Sequence, residues 1–148
     1  MSTVMSDMQV SLIPKEHVLT VWPRIAEHMA KAAEFTGGRY ELDDVLSLIM
    51  DLDYLLWIAF DETGEIKGAV ITGVVQYPRK KSLYLMFCGG TNGDSWKMPM
   101  LTTLQRWAAD TGCDMIEAQG RFGWAAIFKE QGLVPFGQVF ELPVGVGA

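Results

Sequence analysis

Little in this chain announces chemistry by itself. It holds two cysteines, Cys88 and Cys113, and two histidines, His17 and His28. Two cysteines cannot build a disulfide framework, and neither lies in a CxxC or beside a histidine, so both read as small core residues. The histidines lack the i, i+4 spacing of a helical metal pair and read as surface positions, so no metal site is expected. GxSxG, Walker and GxGxxG motifs are all absent, which removes motif support for hydrolase, P-loop and dinucleotide-binding readings. No apolar run approaches the roughly 18 residues of a membrane span. The opening MSTVMSDMQV lacks the basic n-region and apolar core of a signal peptide. Basic charge is also short: 12 Lys and Arg stand against 18 Asp and Glu, a net charge of −6. That balance argues against nucleic-acid and acidic-membrane partners, which select a basic footprint. The cluster Arg79-Lys80-Lys81 reads as a solvated hairpin tip. The expectation is a cytoplasmic protein with no nucleic-acid and no membrane partner.

What is present is core-forming. Hydrophobic residues make up 49% and charged residues 20% of 148, which is a globular composition of single-domain length. No repeat, linker or low-complexity block divides the chain, so residues 1–148 read as one domain.

Residues 8–13 (MQVSLI) read as a short strand ending at Pro14. From Lys15 to Phe35, Val18, Val21, Trp22, Ile25, Met29 and Ala32 follow helical spacing. Pro23 predicts a kink or two helical pieces there. A second helix, about 41–52, sets Leu42, Val45, Leu46 and Ile49 on one stripe. Then the period changes. Leu55–Phe60 (LLWIAF) is a strand-length apolar run, DETGE a hairpin turn, and Ile66–Tyr77 a second strand. Ser82–Cys88 (SLYLMFC) reads as a third. The loop CGGTNGDSWK follows, with Asp94 or Ser95 as the cap of a helix that tolerates Pro99 and stops at Gly112. Asp114–Ala118 is a short strand, Trp124–Gln131 a short helix, and Val139–Leu142 a last strand. Three hairpin-linked strands followed by a βαβα return imply a mixed α/β (α+β) sheet with helices on both faces.

This order, with CDMIEAQGRFGWAAIFKEQGLVPFG from Cys113 to Gly137, resembles the GNAT N-acetyltransferase superfamily. Phe128-Lys129-Glu130-Gln131-Gly132-Leu133 is similar to the family's YEKxGF ending. GRFGW, the Cys-Asp before the strand, and GG followed by Trp also look like GNAT-like proteins encoded by tailed phages. The resemblance implies a mostly antiparallel central sheet flanked by helices, with one parallel, splayed strand pair. It also implies a shortened C-terminal end, since sixteen residues follow Gly132. It further implies acetyl-CoA as the donor, its pantetheine arm along the strand before the loop and its pyrophosphate on loop amides at a helix N-terminus. Carried over by position, the cofactor-binding residues are Phe87, Cys88, Gly89, Gly90, Thr91, Asn92, Gly93, Lys97 and Arg121. Glu117 and Tyr84 are the catalytic candidates.

The loop departs from the family pattern Gln/Arg-x-x-Gly-x-Gly/Ala. Asp94 places a negative charge where pyrophosphate would arrive, Phe128 stands where the family has an acid tyrosine, and Arg121 where it has an asparagine. Trp96 reads as a plug between the loop and the next helix; Trp57, Trp107 and Trp124 read as core or interface anchors. Two readings stay open. One is an acyl-CoA-dependent N-acyltransferase acting on a small-molecule or peptide amine. The other is a GNAT-shaped interaction protein, a homo-oligomer or phage virion component, that has kept the fold without the chemistry.

Overall fold

The computed structural model describes residues 8–118, 129–130, 132, 134–137 and 139–145. Its centre is a five-stranded sheet in the order β1-β2-β3-β4-β5. The strands are β1 (Gln9–Ile13), β2 (Leu55–Phe60), β3 (Ile66–Gln76), β4 (Lys81–Gly90) and β5 (Met115–Ala118). The first four pair antiparallel, and β5 runs parallel to β4. The sheet is thus mixed and mostly antiparallel, with its parallel pair at one edge, as the element order implied.

Helices cover both faces. The helix α1 (Val18–Glu34) and the helix α2 (Leu42–Leu52) pack over Leu56, Ile58, Ala69, Ile71 and Phe87 through Ile25, Met29, Val45 and Ile49. The helix α3 (Lys97–Asp110) covers the other face, with Met100, Leu101 and Leu104 against Trp57, Val70, Leu83 and Leu85. Each fully buried aliphatic side chain of this kind stabilises the fold by about 1.5–3 kcal/mol of transfer free energy. The alternation of strand residues between the two clusters follows from the period of two. Trp57 shows why a buried indole needs a partner: its Nε1 donates to buried Thr72 Oγ1 at 3.0 Å, and its ring meets Trp107 edge-on.

Several local features differ from expectation. α1 is a single helix that continues through Pro23, led in by a 3₁₀ turn at Lys15–His17. Flanking turns that bury Val18, Ile25 and Met29 outweigh the one hydrogen bond that proline removes. Neither Asp94 nor Ser95 caps α3. Both belong to a 3₁₀ turn at Gly93–Ser95, and Trp96 takes the cap position with no side-chain cap bond. Asp114 stays outside β5 and instead accepts the amide of Lys81 at 2.9 Å. Within 139–142, the described residues Val139 to Leu142 form no strand and are exposed; the link seen there is Glu141 to Arg39 at 2.9 Å. An apolar run makes a strand only where a sheet edge accepts it. The expected helix at Trp124–Gln131 and Arg121 with it fall largely outside the described residues.

α2 starts by a reciprocal cap, in which the Glu41 amide donates to Asp44 Oδ2 at 2.9 Å while the Glu41 side chain accepts the Asp44 amide. The β2–β3 hairpin turns on Asp61, whose Oδ1 accepts the Thr63 amide, the Thr63 hydroxyl and the Glu65 amide. Between β3 and β4 the register slips by one: Ile71 pairs with Phe87, Thr72 with Leu85, and Met86 is the extra residue of a β-bulge.

Candidate active site

The bulge lies just beyond the last described rung of the parallel pair. β5 pairs with β4 from Ser82–Met115 to Leu85–Ala118, so among the described residues no strand pairs with β4 on that side beyond Leu85. From Met86 onward the β4 edge facing β5 is a run of backbone that an extended ligand could join. Immediately below this point Tyr84 and Glu117 are direct cross-strand partners. The sequence candidates Tyr84 and Glu117, 33 residues apart in number, are thus cross-strand neighbours, one rung before the last described pair.

Glu117 is held from a third strand end. Tyr77, just past β3, donates its hydroxyl to Glu117 Oε2 at 3.0 Å. This bond, more than the neighbouring desolvation and charge, raises the Tyr77 phenol above its ordinary range. Tyr84 is also raised, first by burial and then by the Glu117 carboxylate. Gly73 pairs with Tyr84 on β3, and the ring of Tyr54 occupies the space a Cβ on Gly73 would need. Two phenols, Tyr77 and Tyr84, therefore flank one carboxylate on the α1–α2 face. Neither Tyr77 nor Tyr54 stood out in the sequence, because nothing local marks a tyrosine whose partner is 40 residues away.

Above the bulge, Phe87 is buried under Tyr40, their rings edge to face at 5.2 Å. Two open grooves of about 360 and 510 Å³ meet at Tyr40, lined by Glu34 and Glu41 on one side and Asp44 and Asp51 on the other. They border the α1–α2 face and do not include the Tyr84–Glu117 pair.

The glycine loop has its own structural reasons. β4 runs to Gly90, so Gly89 and Gly90 pair with Ala69 and Gly68 of β3. A Cβ on Gly89 would sit 2.7 Å from the His28 carbonyl oxygen of α1, and one on Gly90 would sit 2.3 Å from the Lys67 carbonyl. Both glycines are required by packing, whatever the loop binds. Asn92 adopts a left-handed conformation at the turn, φ 52°. Thr91 donates its amide to Lys67, Ser95 to Asn92, and Trp96 to Gly93. The Lys97 stem lies over Gly93, its Cε 2.7 Å from where a Cβ would be. Pro99 brings no N–H to the first turn of α3, and the Met100 amide donates to the Trp96 carbonyl. Trp96 is 1% exposed and its Nε1 donates to the Thr91 carbonyl at 3.0 Å, so it plugs the loop. Cys88 packs at the edge of the α3-side core, and no disulfide joins it to Cys113.

No protein-family model and no curated protein matches this sequence. Solved structures do match its fold. An aminoglycoside acetyltransferase from an uncultured soil metagenomic sample is 17% identical, with a TM-score of 0.67 over 95% of this chain and 100% of that one. An aminoglycoside N-acetyltransferase in complex with CoA is 14% identical, at 0.65 over 99% and 100%. A GNAT family acetyltransferase of Staphylococcus aureus is 11% identical, at 0.63 over 95% and 100%. The chain has the fold of the GNAT acetyltransferases. Among the described residues no helix is long and apolar enough to cross a membrane.

Proposed function

We propose that the chain is a single-domain, acyl-CoA-dependent N-acyltransferase acting on a small-molecule or peptide amine. The observation that carries this reading is the pairing of Tyr84 with Glu117 across β4 and β5, with a bulge at Met86 just beyond the last described pair. The backbone from Met86 to Cys88, which on its β5 side has no strand partner among the described residues, has the hydrogen-bonding groups to receive an extended, amide-bearing arm such as pantetheine. The loop 89–97 suits a pyrophosphate less well, because Thr91, Ser95 and Trp96 amides already donate within the protein and Pro99 has none to give. Lys97 would supply the cation there, joined by Arg121 on the sequence reading.

An acyl-CoA would bring the activated thioester. The chain's own part is to hold the acceptor nitrogen and move its proton. Glu117 would receive the proton of the incoming amine, directly or through one water. Tyr84, kept protonated by its raised value, can donate a hydrogen bond beside it. The carboxylates of Glu34, Glu41, Asp44 and Asp51 around Tyr40 favour a cationic acceptor by charge. Acetyl-CoA is the donor to try first.

Titration calorimetry with acetyl-CoA tests the reading, followed by thiol release in the presence of primary amines. Binding in the micromolar range with amine-dependent release supports it. No heat and no thermal shift at millimolar acetyl-CoA overturns it. The internal use of the loop amides favours a second reading, an interaction protein on the same fold, assembled as a homo-oligomer or within a phage particle. Copurification with a large assembly, without acetyl-CoA binding, would support that instead.

A further inference from the structure

Two buried oxygen atoms on the α1–α2 side of the sheet accept and donate nothing among the described residues. One is Glu117 Oε1, and the other is Ser82 Oγ, on a residue that is 0% exposed. Native interiors leave few such groups, because each lost its water on folding and gained no replacement. Finding two together calls for a reason.

The register shows how close they lie. Ser82 pairs with Val75 on β3 and Met115 on β5. Tyr77 comes two residues after Val75, and Glu117 two after Met115. Because β3 runs against β4 and β5 runs with it, a line from Tyr77 to Glu117 crosses β4 at Ser82. Ser82 and Tyr84 share a face, since Leu83 and Leu85 between and beyond them point to the α3 side. Ser82 and Glu117 are diagonal neighbours, within reach of a side chain as long as glutamate. The Tyr77–Glu117 hydrogen bond spans this same diagonal.

We propose that Tyr77 is a positioning residue for Glu117: it holds Oε2 so that Oε1 and Ser82 Oγ form a cradle for a primary ammonium group. The proposal rests on Glu117 being the group that receives the acceptor's proton. An ammonium has three N–H donors, and the cradle offers two acceptors of the right kind, one of them charged. The proton then passes from nitrogen to Oε1, and the freed lone pair attacks the thioester carbon; the C–N bond forms as the C–S bond breaks, and the second amine proton reaches the departing thiolate through water. The Tyr77 hydrogen bond fixes the carboxylate by its Oε2 end and leaves Oε1 to the ammonium. Tyr77 is 38% exposed and stands outside the strands, so its ring can turn aside to admit a ligand without breaking the sheet.

The test uses the full chain with acetyl-CoA and n-butylamine, comparing wild type, Tyr77→Phe, Ser82→Ala, Glu117→Gln and the double variant Tyr77→Phe/Glu117→Gln. Acetyl-CoA affinity, measured by titration, should be the same in all five. Tyr77→Phe should raise the KM for n-butylamine roughly three- to ten-fold with little change in thermal stability, and should add nothing in the Glu117→Gln background. Ser82→Ala should raise the KM for n-butylamine roughly five- to ten-fold with little change in kcat, while its thermal stability stays level or rises because an orphan hydroxyl is gone. A merely structural role would instead lower stability and leave the KM for n-butylamine in place. If wild type turns over but Tyr77→Phe keeps the wild-type KM, or its effect adds to that of Glu117→Gln, this proposal fails alone. If wild type binds no acetyl-CoA, the acyltransferase reading fails and the cradle with it.

Discussion

The indole of Trp96 lies where Gly68 has no side chain: a Cβ on Gly68 would stand 2.2 Å from Trp96 Cε2. A ring in that position cannot share space with a methyl group. Gly68→Ala should therefore lower stability by about 2–3 kcal/mol, or Tm by roughly 4–12 °C, measured by thermal unfolding. In a Trp96→Leu background the same change should cost much less. Equal costs in both backgrounds would show that Trp96 is not what Gly68 accommodates.

Gly89 gives a second, separable case. Its missing Cβ leaves room for the His28 carbonyl of α1, which is backbone and cannot rotate away. Gly89→Ala should push α1 from β4 and destabilise by about 1–3 kcal/mol even with no ligand present. Chemical denaturation of the unliganded chain checks this. Unchanged stability would mean the glycine serves only the loop.

The tyrosines report on Glu117. Both Tyr77 and Tyr84 are raised, Tyr77 mainly by its hydrogen bond to Glu117 and Tyr84 mainly by burial. Glu117→Gln should bring the Tyr77 ionisation down toward the ordinary range and move Tyr84 less, read by ultraviolet absorbance of tyrosinate. The stability consequence has a definite sign. The folded chain keeps these protons to higher pH than the unfolded chain, so their contribution is whole below pH about 10 and lost as pH rises through the folded values. The alkaline loss should be flatter in Glu117→Gln. An unchanged titration would dissolve the contact.

Asp61 works in the opposite direction. Its carboxyl is lowered, first by the Thr63 hydroxyl, then, against some burial, by the amides of Glu65 and Thr63 and by the Lys67 charge. Such a group adds stability above the ordinary carboxylate range, and the addition disappears as pH falls through the folded value. Asp61→Ala should thus be destabilising near neutrality, with the gap to wild type closing in acid. Urea unfolding at several pH values measures it; a gap that stays constant with pH would contradict the assignment.

The sheet and its covering helices were legible because their signals are local. The stripe of Leu42, Val45, Leu46 and Ile49 and the run LLWIAF state their structure within a few residues. The resemblance named Glu117 and Tyr84 as candidates, one on each of two strands, without relating them to each other. What could not be read depends on register. Nothing around Tyr77 shows that its hydroxyl reaches across β4, and nothing around Ser82 shows that its oxygen is left alone. The glycines at 89 and 90 illustrate the reverse error: they look like ligand space in sequence, yet α1 and β3 fill the volume beside them. Val139 to Leu142 had strand composition but has no sheet partner among the described residues, and composition alone carries no information about partners.

The single extra residue at Met86 changes the parity of β4. Before it, odd positions such as Leu83 and Leu85 belong to the α3 side; after it, the odd position Phe87 belongs to the α1–α2 side and the even Cys88 to the α3 side. One strand therefore shows two polar residues, Ser82 and Tyr84, and one large aromatic, Phe87, in the same direction, an arrangement strict alternation forbids. Removing Met86 would leave the other side chains facing as they do, because Phe87 would then follow Leu85 in strict alternation. Flattening the bulge with Met86 in place would instead turn Phe87 toward the α3 core, already filled by Trp96 and Met100.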